Sequence, residues 1–385
     1  MNHPATGSID PLKKPRVIVI GGGLLGASIT FHLSRGGARC QLIEQADIAS
    51  GISGASFGLI NAFDDESREY FQFRQAGMNE YLSLHSFLGE ISTLVWRPTL
   101  VIRDKSSGLS EKCAKLNNWG YSCRILSSDE FNLRLSTNSD GSLLGCIVEN
   151  EATVDAVYLT RKFLDYAKLT GANILTNRKV VAIEKRTCSH HFLVCCDDGS
   201  TLKSDYIVLA AGHGSTQLLK QLGIALSYNC TYGLIVETKP VNFTLQTVLD
   251  TADVKIRQCV DGRLIFNIDC NKDMDGADEA TLNSIITNEI SSVLEILDTN
   301  IIDRDNLFFS RIKLGKRAIP EDGLPLIGPV GDTSGIYLVF THSGVTLAPL
   351  VGRLLTEEIL SGKTSELLSH WNPGRFPNSI LGLNL

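Results

Sequence analysis

The chemistry most legible in the sequence sits near its start, where Gly21-Gly22-Gly23-Leu24-Leu25-Gly26 follows a short apolar run, Val17–Ile20. Gly21, Gly23 and Gly26 fit the G-x-G-x-x-G spacing. Gly21 permits a tight turn, Gly23 lets the backbone approach a pyrophosphate, and Gly26 lets a helix pack closely on a strand. Leu24 and Leu25 then open the helix, whose first N–H groups lack intrahelical partners and carry the positive end of the dipole. Glu44, followed by Gln45, closes the next apolar run eighteen residues after Gly26. A carboxylate there accepts hydrogen bonds from ribose hydroxyls and repels a 2′-phosphate, which argues against NADP.

Two more groups of residues invite a chemical reading. Ser50-Gly51-Ile52-Ser53-Gly54-Ala55-Ser56-Phe57-Gly58 is a run of small residues able to wrap a second phosphate-bearing part of a ligand with hydroxyls and backbone N–H groups. Late in the chain, Arg317 stands beside Arg311, Lys313 and Lys316, and Lys255 lies two residues from Arg257. Such cations form either a solvated basic strand or a pocket for an anion.

The chain resembles the D-amino-acid oxidase superfamily of FAD-dependent oxidoreductases, especially its glycine oxidase and sarcosine oxidase branch. The resemblance rests on GGGLLGASITFHLSRGGARCQLIE at 21–44, SGASFGLIN at 53–61, YIVLAAGHGS at 206–215, RAIPEDGLPLIGPV at 317–330 and THSGVTLAPLVGRLLTEEI at 341–359, in family order. It implies FAD held by Gly21, Gly23, Leu24, Leu25, Gly26, Glu44, Gln45, Ser50, Ser53, Gly54, Ala55, Ser56 and Gly58. It further implies that Val180 and Val181 lie against the adenine and that Ala210, Ala211 and Gly212 close over the cofactor. The loop Ser343, Gly344, Val345, Thr346 and Leu347 would offer N–H groups near the flavin ring. No cysteine lies between Ala318 and Gly328, where sarcosine oxidases attach flavin, so the FAD is expected to be non-covalent.

By the same resemblance Arg317 forks onto a substrate carboxylate, which suits two parallel N–H groups and a permanent charge. Lys255 stands where relatives often carry a tyrosine. Facing the pocket, it favours a substrate with a second anionic group, such as an opine; facing outward, it belongs to a solvated edge. Phe266-Asn267-Ile268 replaces a usual glycine pair in what would be the pocket roof. His342 would face the flavin or serve the loop structurally. The activity implied is oxidation of a small amine or amino acid, with hydride passing to flavin N5 and the imine hydrolysing to an oxo acid. That chemistry depends on positioning and exclusion of water more than on a general base. Oxygen or another acceptor would take the electrons. The alternatives are a 2-hydroxy-acid dehydrogenase on the same fold, using His342 as base, and an FAD-carrying subunit of a hetero-oligomeric amino-acid or opine dehydrogenase. Homo- or hetero-oligomers are both open.

The elements that must position these residues read as an α/β fold. Strands alternate with helices at both ends of the chain, while the middle is rich in strands. The expected architecture is an FAD-binding Rossmann-type, glutathione-reductase-like domain interleaved with an α+β substrate domain on a mostly antiparallel sheet. The first comprises 15–62, 150–225 and 318–372, the second 63–149 and 226–317, and 1–14 form a flexible tail. Helices are expected over 67–90, 158–170, 277–298 and 348–360. Leu94–Arg103 reads as one strand, and a turn at Asp197-Asp198-Gly199 as leading into Tyr206–Ala211.

With 43% hydrophobic and 20% charged residues the chain has the composition of a globular protein with a real core. A formal charge of −6, spread without long runs, calls for neither nucleic acid nor anionic lipid. The 10 cysteines form no CxxC pair and have no histidine at zinc-ligand spacing, so no metal is expected and the thiols read as reduced and buried. Basic residues before Val17–Leu33 mimic a signal peptide, but three glycines interrupt the apolar stretch. The expectation is a cytoplasmic protein with no membrane span.

Overall fold

The computed structural model describes residues 14–63, 67–135, 141–185, 191–270, 273–296, 308–331 and 335–375. The tail at 1–13 lies outside them. Two sheets organise the chain, and the candidate site lies where they meet.

The first sheet has six strands in the order Leu326–Pro329, Ile336–Phe340, Tyr206–Leu209, Arg16–Ile20, Arg39–Ile43 and Asn173–Leu175. All neighbours run parallel except the Leu326–Pro329 pair. Its central strand is apolar on both faces because both are covered. Val17 and Val19 face the helices, while Ile18 and Ile20 face a three-stranded antiparallel sheet through Val180, Ile183, Phe192 and Val194. The Asp197–Gly199 turn therefore does not lead to Tyr206: it joins Phe192–Cys196 to a further short strand, Thr201–Ser204, in that smaller sheet.

Helix Leu24–Arg35 packs against Ala156–Leu169 and Gly344–Ser361. The second contact is close because Gly352 faces Ser28, where a β-carbon would lie 2.3 Å from the hydroxyl, and Ser28 donates to Ala348 O at 2.7 Å. The last long helix begins four residues earlier than expected, at Gly344, and so carries Pro349 inside it. Proline lacks the N–H that would bond to the carbonyl four residues back. That carbonyl, Val345 O, instead accepts from the Tyr81 hydroxyl at 2.6 Å.

The second sheet has eight strands in the order Phe309–Pro320, Tyr228–Pro240, Arg263–Cys270, Val254–Gln258, Val248–Asp250, Thr99–Asp104, Leu143–Val148 and Cys123–Ile125. Only Val248–Asp250 and Thr99–Asp104 run parallel to one another. Alternation sorts its two faces. Leu234, Val236, Val254, Ile256, Leu264, Phe266 and Ile268 pack with Ile286, Ile290, Val293 and Leu294 of helix Glu279–Ile296. The opposite parity, with Gly233, Lys255, Arg257, Asn267, Asp269, Gly315 and Arg317, faces the other way, and of these Gly315 and Arg317 line a large cavity.

The stretch Leu94–Arg103 is not one strand. Pro98 cannot donate to a ladder, and the chain divides there into Val95–Trp96, in a small sheet with Ala152–Thr153, and Thr99–Asp104 in the large one. Among the described residues no helix is long and apolar enough to cross a membrane.

Candidate active site

A cavity of about 1040 Å³ runs from the glycine turn to Arg317. At one end Gly21 adopts φ +115°, and a β-carbon there would lie 2.4 Å from Ala210 O. Gly26 has equally little room, with Gly21 O 2.0 Å from its would-be β-carbon. At Gly23 the nearest obstruction is the Ser53 hydroxyl at 3.0 Å, so the space beside it belongs to the cavity. Leu24 N, a free donor at the helix start, bonds Ser53 Oγ at 2.9 Å, which ties the small-residue run to the glycine turn. Glu44 is fixed by Gly22 N at 2.6 Å and Ala46 N at 2.9 Å.

Most of the residues singled out in the sequence line this cavity: Gly21, Gly23, Leu24, Leu25, Glu44, Gln45, Ser50, Ser53, Ala55, Ser56, Val180, Val181, Ala210, Ala211, Gly212, Gly344, Val345, Arg317 and His342. Others hold the frame. Gly54 is pressed against Ala49 O, and Gly58, at φ +77°, against Val154 O. Ser343 Oγ pairs with Tyr70 OH at 2.7 Å, Thr346 Oγ1 accepts from Asn61 N at 3.2 Å, and Leu347 is in the core. The stretch 344–347 is therefore the first turn of a helix rather than a loop, with its leading N–H groups unpaired within the helix.

At the other end the large sheet presents its polar face. Arg317 bonds Asp269 Oδ1 through Nη1 at 2.6 Å and Asn267 Oδ1 through Nη2 at 2.8 Å. Burial raises the Asp269 carboxyl, but Arg317 outweighs it and holds the group below its usual range. Gly233 makes the room, since a β-carbon there would lie 2.0 Å from the guanidinium. Asn267, in the stretch that replaces the usual glycines, is thus part of the arginine's support.

Lys255 lies on an internal strand, not a solvated edge, and its Nζ is 3.3 Å from Asp250 Oδ1. Arg103 shares that carboxylate at 2.9 Å. Lys255 is absent from the lining of the main cavity but acts on it electrostatically. Arg257 shares its face and is 4% exposed, donating from Nε to Phe57 O, so it is a structural residue.

His342 is an exposed residue on the cavity wall. Dehydration, followed by the charges of Arg317 and Arg74, lowers its imidazole to about 4, with Asp269 opposing and Lys255 adding to the fall. The ring is therefore neutral at pH 7. Arg74 is fully buried, lowered to about 10 by burial, and donates to Asn61 O at 3.1 Å.

The sequence reading gave no individual role to Lys313, Asp269 or Asn267. Lys313 lines the cavity and donates to Gly54 O at 2.9 Å; burial, then Arg311, lowers its pKa. The i, i+2 spacing of Lys313, Gly315 and Arg317 was the available signal. Asp269 and Asn267 gave none locally.

A cavity with a glycine-tight turn, an oriented helix start and a fixed acid fits FAD, and residues 16–358 match the DAO family, described as FAD dependent oxidoreductase. Over 365 residues the chain is 24% identical to glycine oxidase of Bacillus licheniformis, covering 90% of this chain and 94% of that one. Over 385 aligned positions it is 24% identical to one of the opine oxidase subunits of Rhizobium meliloti, covering 93% and 96%. The crystal structure of glycine oxidase from Geobacillus kaustophilus superposes with a TM-score of 0.82 at 20% identity, over 93% of this chain and 98% of that one. The chain belongs to the DAO family of FAD-dependent oxidoreductases.

Proposed function

We propose that the protein oxidises the C–N bond of a small carboxylate-bearing amine or amino acid, giving an imine that hydrolyses to an oxo acid. The observation that carries this reading is Arg317, braced by Asp269 and Asn267, on the wall of the same cavity as the glycine turn. Its remaining N–H groups are directed by that bracing and are available to a carboxylate. Bound FAD supplies the two-electron acceptor. The chain's residues orient the substrate and exclude water, with the six-stranded sheet assigned to the cofactor and the eight-stranded sheet to the substrate.

A hydroxy acid would require a base for its hydroxyl proton. His342, lowered to about 4, has little affinity for that proton at pH 7. A neutral amine uses its own lone pair and needs no such base, which favours the amine.

A substrate with a second anionic group, such as an opine, is the finer reading. Arg103, Lys255 and Arg317 face two carboxylates, Asp250 and Asp269, which leaves a surplus of one positive charge. At His342 the charges of Arg317, Arg74 and Lys255 act against that of Asp269, three cations to one anion. The relatives include a chain named for opine oxidation.

The test is single-turnover mixing without oxygen, followed by product analysis. An oxo acid and a free amine, in amounts matching the flavin reduced, are expected. Flavin reduction without an oxo acid would overturn the proposal.

A further inference from the structure

Far along the eight-stranded sheet, outside the cavity described above, three cysteines meet. Cys113 is on helix Leu109–Asn118, Cys123 opens strand Cys123–Ile125, and Cys146 lies in strand Leu143–Val148. Their Sγ atoms all lie within 4.8 Å of one another, and the residues are 3%, 6% and 0% exposed. Strand register brings two of them together. Cys123 pairs with Val148 and Ile125 with Cys146, so Cys123 and Cys146 share a face of the sheet. The helix covers that face and brings the third.

The arrangement is pinned from outside the thiols. Asn117 Nδ2 donates to Cys123 O at 2.7 Å, and Asn117 Oδ1 accepts from Cys123 N at 3.2 Å. The same amide nitrogen lies 3.6 Å from Cys113 Sγ. The two lysines flanking Cys113 in sequence point elsewhere, Lys112 over the Phe63 ring at 4.8 Å and Lys115 over the Trp119 ring at 5.0 Å. Leu109, Leu116 and Val148 belong to the same core cluster.

We propose that Cys113, Cys123 and Cys146 form a binding site for a trivalent thiophilic element, of which arsenic(III) is the representative. Three converging thiols select soft ions, and burial then selects by charge. Arsenous acid reacts with three thiols as As(OH)3 + 3 RSH → As(SR)3 + 3 H2O. Three As–O bonds break, three As–S bonds form, each thiol proton leaves in water, and no oxidation state changes. The product is neutral and suits an apolar surrounding. A divalent ion on three thiolates would bury a net negative charge, which is costly without a partner. Zinc would also require a fourth ligand, whereas arsenic(III) is complete with three and a lone pair. The three cysteines are separated by loops and strands, so no ligand spacing in the sequence marks them.

The experiment uses the FAD-loaded protein, reduced with a phosphine, incubated with sodium arsenite and desalted. Arsenic retained per chain is then measured by atomic mass spectrometry. Stoichiometric retention is expected in the wild type and in Cys195→Ser with Cys230→Ser. Each of Cys113→Ala, Cys123→Ala and Cys146→Ala should weaken it by about 10²-fold, the gain a tethered third ligand provides. Flavin colour checks that the variants fold. Arsenic-edge X-ray absorption on the wild type gives an independent reading, expected to find three sulfur neighbours and no oxygen. No retention by the wild type, full retention in Cys146→Ala, or oxygen remaining on the bound arsenic would overturn the proposal.

Discussion

Arg317 lies across Gly233, so close that a β-carbon on the glycine would sit 2.0 Å from Nη2. The arginine's direction is therefore set by the absence of a side chain on the neighbouring strand. Gly233→Ala should displace the guanidinium from Asp269 and Asn267. Efficiency on the true substrate should fall while flavin content stays that of the wild type. Steady-state kinetics with an absorbance spectrum of the same sample checks both, and an unchanged kcat/KM would show that the position of Arg317 is immaterial.

Removing the arginine itself is a stronger change. Arg317→Ala leaves Asp269 without its cation and the substrate carboxylate without its fork. The Asp269 pair is part-exposed, so the loss comes mainly from the substrate carboxylate: a hydrogen bond to a charged group is worth about 1.5–3 kcal/mol, which at about 1.36 kcal/mol per decade is a loss of about ten- to a hundred-fold in kcat/KM. FAD should remain bound, because the glycine turn is at the other end of the cavity.

Two of the motif glycines should fail differently. A side chain at Gly26 meets Gly21 O at 2.0 Å, whereas one at Gly23 meets only the Ser53 hydroxyl at 3.0 Å and otherwise enters the cavity. Gly26→Ala should compromise folding. Gly23→Val should give folded protein without yellow colour, as judged by circular dichroism and absorbance. In the wild type, acid precipitation should release the flavin into the supernatant, as non-covalent attachment requires.

His342 predicts a pH effect on stability. Its folded pKa of about 4 lies below the ordinary histidine value, which is about 6.5. Above the ordinary value both folded and unfolded states hold it neutral, and its contribution is complete. As pH falls towards 4 the unfolded chain takes the proton first, so stability is lost across that window. His342→Gln should therefore flatten the decline in urea-unfolding free energy between pH 7 and 5. Parallel curves for the two proteins would contradict the lowered pKa.

What was legible in the sequence was local. Gly21, Gly23, Gly26 and Glu44 act within one strand–turn–helix–strand unit, so their spacing reveals their roles. The bracing of Arg317 was hidden because Asp269 lies 48 residues away and arrives only through the pairing of three strands. The helix expected over 348–360 begins at Gly344, which puts Pro349 inside it. Its true place inside the helix depends on Tyr81, 264 residues from the carbonyl it satisfies. The parity of Lys255 and Arg257 was readable from their spacing. What covers that face, including Phe57 beside Arg257, was not.

The central claim, oxidation of a carboxylate-bearing amine in which Arg317 holds the carboxylate and the local positive charge favours a second anion, meets its most direct test in anaerobic flavin bleaching. Wild type and Lys255→Tyr are each mixed with glycine, sarcosine, glutamate, an opine and a 2-hydroxy acid, and the rate of flavin reduction is followed. The account predicts bleaching by amino or N-substituted amino acids, fastest with the dianionic ones, and a shift towards small neutral amino acids in Lys255→Tyr. Bleaching by the hydroxy acid alone would contradict the reaction assigned, and equal preference ratios in the two proteins would contradict the role given to Lys255.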